Sequence, residues 1–156
     1  MITSIECIKK FGNPLNNQTQ FEKNWMIMYD INDIINKDNP VIPNRIYVNK
    51  QFGKIIDNWF IHLLNNNLLN EIKTWDGCFN IRLKRGLHTL SIHSFACAID
   101  LNAAHNPLGL TREQCIKKNL VPFSDKFINE SRKFVDCGAD WKNRPDGMHF
   151  QIKLLL

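Results

Sequence analysis

The chain has 156 residues, 44% of them hydrophobic and 22% charged, which is enough to bury a core in one domain and far from the composition of a disordered segment. A formal charge of +5 favours an anionic partner, but the basic residues fall in isolated pairs (Lys9-Lys10, Lys84-Arg85, Lys117-Lys118), an arrangement that speaks against a nucleic-acid-binding arm. Five cysteines, Cys7, Cys78, Cys97, Cys115 and Cys137, are odd in number and contain no C-x-x-C pair, so they suggest neither a disulfide framework nor a thiolate zinc knuckle.

Residues 1–42 are the least readable part; they show a turn at Gly12-Asn13-Pro14 and an apolar patch, Trp25 to Tyr29, that reads as a short strand. The first residues, Met1 to Glu6, lack the pattern of a signal peptide, and no apolar run approaches the roughly 20 residues of a membrane span. The expectation is a chain made in the cytoplasm, without membrane insertion, that needs another factor to reach any target outside. After Asn39-Pro40 and Pro43, the run Ile46-Tyr47-Val48 predicts a strand.

The clearest element follows. Phe52, Ile55, Ile56, Trp59, Phe60, Leu63 and Leu64 repeat at helical spacing and predict an amphipathic helix with one buried stripe. His62 lies off that stripe and reads as a surface histidine. Beyond the turn at Trp75-Asp76-Gly77 come three strand-like stretches, Phe79 to Lys84, Leu87 to His93, and Cys97 to Leu101. Two helices are expected next, one from Thr111 to Lys118 with a Thr111-x-x-Gln114 capping box, the other from Ser124 as N-cap to about Val135. The end alternates as a half-buried strand: Met148, Phe150, Ile152 and Leu154 would face the core, with His149 and Gln151 together on the other face. These elements predict a single α+β domain, residues 1–156, with helices packed on an antiparallel sheet whose face carries the site.

A catalytic zinc needs three His or carboxylate ligands and an open fourth position. His93, Asp100 and His149 lie on predicted strands where they can meet, and Asp146, three residues before His149, is placed to serve as general base without ligating the metal. Taken alone, such spacings arise by chance in many chains.

Their surroundings are more specific. Ser91-Ile92-His93-Ser94-Phe95-Ala96-Cys97-Ala98-Ile99-Asp100 resembles the S-x-H-x-x-G-x-A-x-D motif of zinc D-alanyl-D-alanine metallopeptidases. Gly138-Ala139-Asp140-Trp141 and Asp146-Gly147-Met148-His149-Phe150-Gln151 resemble the same family's G-G-D-W and D-G-M-H-F segments. The resemblance spans roughly Pro43 to Gln151, and phage-type L-alanyl-D-glutamate endopeptidases (endolysins) look closest within a group that also holds D-Ala-D-Ala carboxypeptidases. It implies a hedgehog/DD-peptidase-like fold with residues 43–156 as catalytic core, Zn2+ held by His93, Asp100 and His149, and Asp146 as base. Peptidoglycan stem peptides containing D-amino acids are the implied substrate, and a monomer acting on the cell wall, in lysis or as part of a phage particle, the implied setting.

An arginine before the first histidine is implied to steady the developing oxyanion or a substrate carboxylate; Arg82 is chosen over Arg85, which is kept as a substrate-binding residue. Ser91 reads either as a substrate or orienting hydroxyl or as a plain strand serine, and Trp141 either as a pocket wall or as core. Cys97 reads as a small buried residue. Ala96 departs from the family glycine; a positive φ there would cost roughly 1 kcal/mol or more. Two alternatives of other classes stand beside the enzyme: a non-catalytic zinc-containing wall-binding or structural protein of the same fold, for which Asp146 would have no chemical use, and a basic nucleic-acid-binding domain, for which the clustered Lys/Arg and interleaved aromatics are missing.

Overall fold

A computed structural model describes residues 1–155. Helix α4, Gly53–Asn65, has its buried stripe where the periodicity puts it. Ile56, Trp59, Phe60 and Leu63 are fully buried, each worth roughly 1.5–3 kcal/mol relative to exposure. The helix begins at a glycine because Tyr29 packs against its first turn: a Cβ on Gly53 would lie 2.5 Å from Tyr29 Cδ2. Trp59 Nε1 donates to Ser131 Oγ at 3.0 Å, so the largest core side chain carries no orphaned N–H.

Under α4 lies a four-stranded sheet of β3 (Trp75–Gly77), β4 (Ala98–Leu101), β5 (Val135–Cys137) and β6 (His149–Ile152), in the order β3-β4-β6-β5 with every pairing antiparallel. Phe150 on β6 meets Trp59 of α4 at 5.0 Å between ring centroids. Strand alternation then turns His149 and Gln151 to the sheet's other face. The expected α+β class, helices against an antiparallel sheet, is therefore the one observed. Two residues of the last segment depart from expectation: Leu154 is 68% exposed because the strand stops at Ile152, and Met148 lines a cleft instead of joining the core.

A second sheet pairs β1 (Met26–Asp30) with β2 (Arg45–Asn49), antiparallel. Asn49 ties its end to the larger sheet: its backbone N–H donates to the Ala96 carbonyl and its Nδ2 to the Phe95 carbonyl, both at 3.2 Å. Around these sheets pack α1 (Ser4–Phe11), α2 (Gln18–Trp25) and α3 (Asp33–Asp38), none of which the sequence reading anticipated. Helices α5 (Arg112–Lys117) and α6 (Asp125–Ser131) start at the expected caps, Thr111 and Ser124. Helix α6 ends at Ser131, well short of Val135, because Val135 leaves to pair with Ile152. No helix among the described residues is long and apolar enough to cross a membrane.

The stretches 79–84 and 87–93, expected as strands, are not strands. They make one isolated bridge, Leu83 to Leu90, and one further backbone bond from the Asn80 N–H to the His93 carbonyl at 3.1 Å, and turn at Gly86 with φ 76°. The ladder fails because a side chain takes a backbone partner: the Arg82 N–H donates to Ser94 Oγ at 3.0 Å, and Ser94 Oγ donates on to the Arg82 carbonyl at 2.9 Å. His93 thus sits in a single 3-10 turn, Ile92–Phe95, and not at a strand end.

Candidate metal centre

Asp100 and His149 are register partners across β4 and β6, so the sheet ladder sets their side chains next to each other. His93 is brought in by its 3-10 turn, which Ser91 caps by accepting the His93 N–H at 3.4 Å and which closes at Ala96 in the left-handed region, φ 50° and ψ 35°. In that region an alanine costs roughly 1 kcal/mol more than a glycine. The Ala96 methyl is also fully buried, however, and a buried methyl is worth about 0.8 kcal/mol. The two terms nearly cancel, so Ala96→Gly is expected to change unfolding free energy by less than about 1 kcal/mol in urea titration.

The three side chains converge closely. His93 Nε2 lies 3.1 Å from Asp100 Oδ1 and 3.1 Å from His149 Nδ1, and His149 Nδ1 lies 3.3 Å from Asp100 Oδ1. A tetrahedral zinc with bonds of about 2.0–2.1 Å would hold its ligand atoms about 3.3 Å apart. The outward nitrogens are both engaged: His93 Nδ1 donates to the Cys78 carbonyl at 2.9 Å, and His149 Nε2 faces Gln151 Oε1 at 3.0 Å. Those partners accept, so each imidazole carries a proton on its outer nitrogen, and in its neutral form turns a lone pair inward. Burial opposes ionisation of Asp100, but the hydrogen bonds and positive charge of His149 and His93 in their protonated form outweigh it and hold its carboxyl well below the usual carboxylate range. With both imidazoles neutral, three acceptors meet with no protein donor among them, a set that fits a bound cation better than a hydrogen-bond network.

Asp146 stands beside this cluster. Its Oδ1 is buried with no hydrogen-bond partner among the described residues. Burial, the largest influence, pushes its pKa up to about 6; the positive fields of His149, His93 and Arg85 oppose the rise and the negative charge of Asp100 adds to it. Its position is set by a close backbone approach at Gly138, whose carbonyl accepts the Asp146 N–H at 2.9 Å and the Trp141 N–H at 3.1 Å. A Cβ on Gly138 would lie 2.5 Å from the Asp146 carbonyl oxygen and 3.1 Å from the Cβ atoms of Asp146 and His149.

All eight residues singled out in the sequence lie on one cleft of about 510 Å³. Arg85 is the arginine whose charge acts on Asp146, whereas Arg82 donates to its own neighbour's carbonyl, Leu83 O, at 3.4 Å. Ser91 is buried and caps the ligand turn; Trp141 is half-buried, its ring 5.1 Å from that of His149. Cys97 is fully buried and donates to the Phe95 carbonyl at 3.4 Å, and His62 is away from the cluster, bonded to Glu130 at 2.6 Å. Sequence reasoning missed Arg144, which lines the cleft and joins its two rims through Nη1 and the Arg85 carbonyl at 2.9 Å. It also missed the acceptors behind the histidines. For Gln151 the signal was available, since alternation already placed it on the face of His149.

Geometry and donor set together make a cluster that could hold one metal ion, beside a carboxylate with an unpartnered oxygen, on an antiparallel sheet of an α+β protein. Residues 85–152, a little under half of the chain, match the family model described as D-alanyl-D-alanine carboxypeptidase. The match supports a peptidase. The matched segment contains the His-Asp-His cluster, Asp146 and Arg85, and begins after Arg82. No curated protein and no solved structure matched in the corresponding searches.

Proposed function

We propose that this chain is a zinc-dependent peptidase that hydrolyses amide bonds in peptidoglycan stem peptides, as a phage-type L-alanyl-D-glutamate endopeptidase or a D-Ala-D-Ala carboxypeptidase, on a hedgehog/DD-peptidase-like fold. The observation that carries the reading is the meeting of two imidazole lone pairs and one carboxylate beside an unpartnered carboxylate on the same cleft. His93 Nε2, Asp100 Oδ1 and His149 Nδ1 are the atoms that would hold the ion. Zinc bound there supplies Lewis acidity, which polarises a carbonyl and makes water acidic enough to lose a proton near neutral pH.

The protein's own groups do the rest. Asp146, with its pKa near 6, is poised both to take the proton of the attacking water and to hand it to the leaving amine. Arg85, whose charge reaches Asp146, takes over the role first given to Arg82 and stabilises negative charge developing on the substrate, leaving Arg82 on the same rim to hold a substrate carboxylate. Trp141 walls the cleft beside His149.

The test is release of new amino groups from purified peptidoglycan by zinc-loaded protein, chelated protein and Asp146→Ala, with mass spectrometry of the fragments. Release by the loaded wild type alone is expected, and the fragments identify the bond. Zinc binding at one equivalent with no cleavage of any wall type would instead establish the non-catalytic, wall-binding reading.

A further inference from the structure

The hydrogen bonds behind His149 lead to a part of the chain far from it in sequence. Gln151, 2% exposed, donates from Nε2 to the Ile2 carbonyl at 3.1 Å while its Oε1 faces His149 Nε2 at 3.0 Å. A backbone carbonyl can only accept, so the amide has one orientation: nitrogen toward Ile2, oxygen toward the imidazole. His149 must then carry its proton on Nε2. A second grip reaches the same ring, since Trp141, whose ring lies 5.1 Å from that of His149, donates from Nε1 to Met1 Sδ at 2.9 Å. The residues leading into α1 therefore hold His149 through two intermediaries, Gln151 on one side and Trp141 on the other.

We propose that Gln151, anchored by the Ile2 carbonyl, is a positioning residue that locks His149 in the Nε2–H tautomer, keeps the Nδ1 lone pair aimed at Asp100 and His93, and thereby sets the cation affinity of the cluster. The inference rests on reading that cluster as a metal site. A free imidazole divides between two tautomers and rotates about its bond to the backbone; Gln151 removes both freedoms before any cation arrives. Acceptors behind metal-binding histidines are worth roughly 10–100-fold in metal affinity. The segment leading into α1, remote in sequence from the family-matched residues 85–152, becomes part of the functional site through this one side chain.

Two variants and two measurements test this. Gln151→Met keeps the side-chain length and loses the acceptor; Gln151→Glu keeps an oxygen acceptor for the imidazole N–H. Long-range 1H–15N NMR of the metal-free protein reads the His149 tautomer, and competition with a chromogenic chelator reads zinc affinity. The expected result is a single Nε2–H tautomer in wild type and Gln151→Glu, a mixture in Gln151→Met, and an affinity for zinc roughly 10–100-fold lower in Gln151→Met that Gln151→Glu largely restores. An unchanged tautomer and unchanged affinity in Gln151→Met would overturn the positioning role while leaving the metal site standing. Failure of the wild type to bind zinc would overturn the metal reading and the affinity claim with it, whichever tautomer is found. Loss of folding in Gln151→Met would leave the decision to Gln151→Glu, where a wild-type tautomer and affinity support the role and a changed tautomer with unchanged affinity overturns it.

Discussion

Asp146→Asn should abolish hydrolysis while making the metal-free protein more stable at neutral pH. Loss of a positioned general base typically costs 10²–10⁴-fold in rate, and asparagine cannot accept the proton. The stability change runs the other way because the native site penalises the charged form of this side chain. Its carboxyl ionises at about 6 in the folded protein against an ordinary value of 3.8. A raised carboxylate pKa means that folding is favoured by the protonated form: the contribution is complete below about pH 4 and is lost as the pH rises through 6. At pH 8 the ionised wild type therefore carries the full penalty, and Asn carries none. Discounted for partial exposure and for the buried amide that replaces it, the expected gain is about 1–2 kcal/mol at pH 8, shrinking to nothing near pH 4. Thermal unfolding of the two metal-free proteins across that range checks it. An equal gain at every pH would mean that charge burial at Asp146 is not its source.

The second large effect is expected at Gly138. A Cβ there would sit 2.5 Å from the Asp146 carbonyl oxygen, a backbone atom that has no rotamer by which to escape. The same Cβ would press on the side chains of Asp146 and His149 at 3.1 Å. Relief requires the segment entering β6 to move as a unit, and the Asp146 N–H to Gly138 carbonyl bond of 2.9 Å to stretch or break. Gly138→Ala should therefore cost about 2 kcal/mol or more in unfolding free energy, in the range of overpacked cores, and lower turnover by at least about 10²-fold through displacement of the base. Denaturant titration together with kcat on peptidoglycan fragments reads both. A variant with wild-type turnover would show that Asp146 tolerates a shift of this size.

The candidate site residues were legible because a site of the proposed kind needs fixed side-chain types. His93, Asp100, Asp146 and His149 appear in the sequence as an ordered pair of short segments, and the structure brings all four to one cleft. Helix α4 was legible for a different reason: its stripe repeats for more than three turns, long enough for periodicity to stand out. The N-terminal helices are six to eight residues long, too short for that signal, and their stability comes from packing against the core. A local clue existed in Thr3 and Glu6, which form a capping box at the start of α1. The hairpin-like excursion between residues 79 and 93 misled because its alternation is real but its ladder is diverted by Ser94, a long-range choice that no short window displays. At Ala96 the sequence left the backbone open: the family glycine there raised the question of a positive φ, and the structure answers it with a left-handed turn.

The pairing of Asp100 with His149 also separates the parts of the chain that are free to vary in length from those that are not. The distance between those two residues is maintained by the β4–β6 ladder, not by the residues that connect them. The excursion bearing α5, α6 and β5 can accordingly gain or lose residues in its exposed turns, near Gly109 or Asn119, without altering the spacing of the pair. The seven-step path from His93 to Asp100 has no such slack: it makes one 3-10 turn, reverses at Ala96 and enters β4, with both the Phe95 and the Ala96 carbonyls held by Asn49. Lineages of this protein should therefore diverge by insertion on one side of Asp100 and only by substitution on the other.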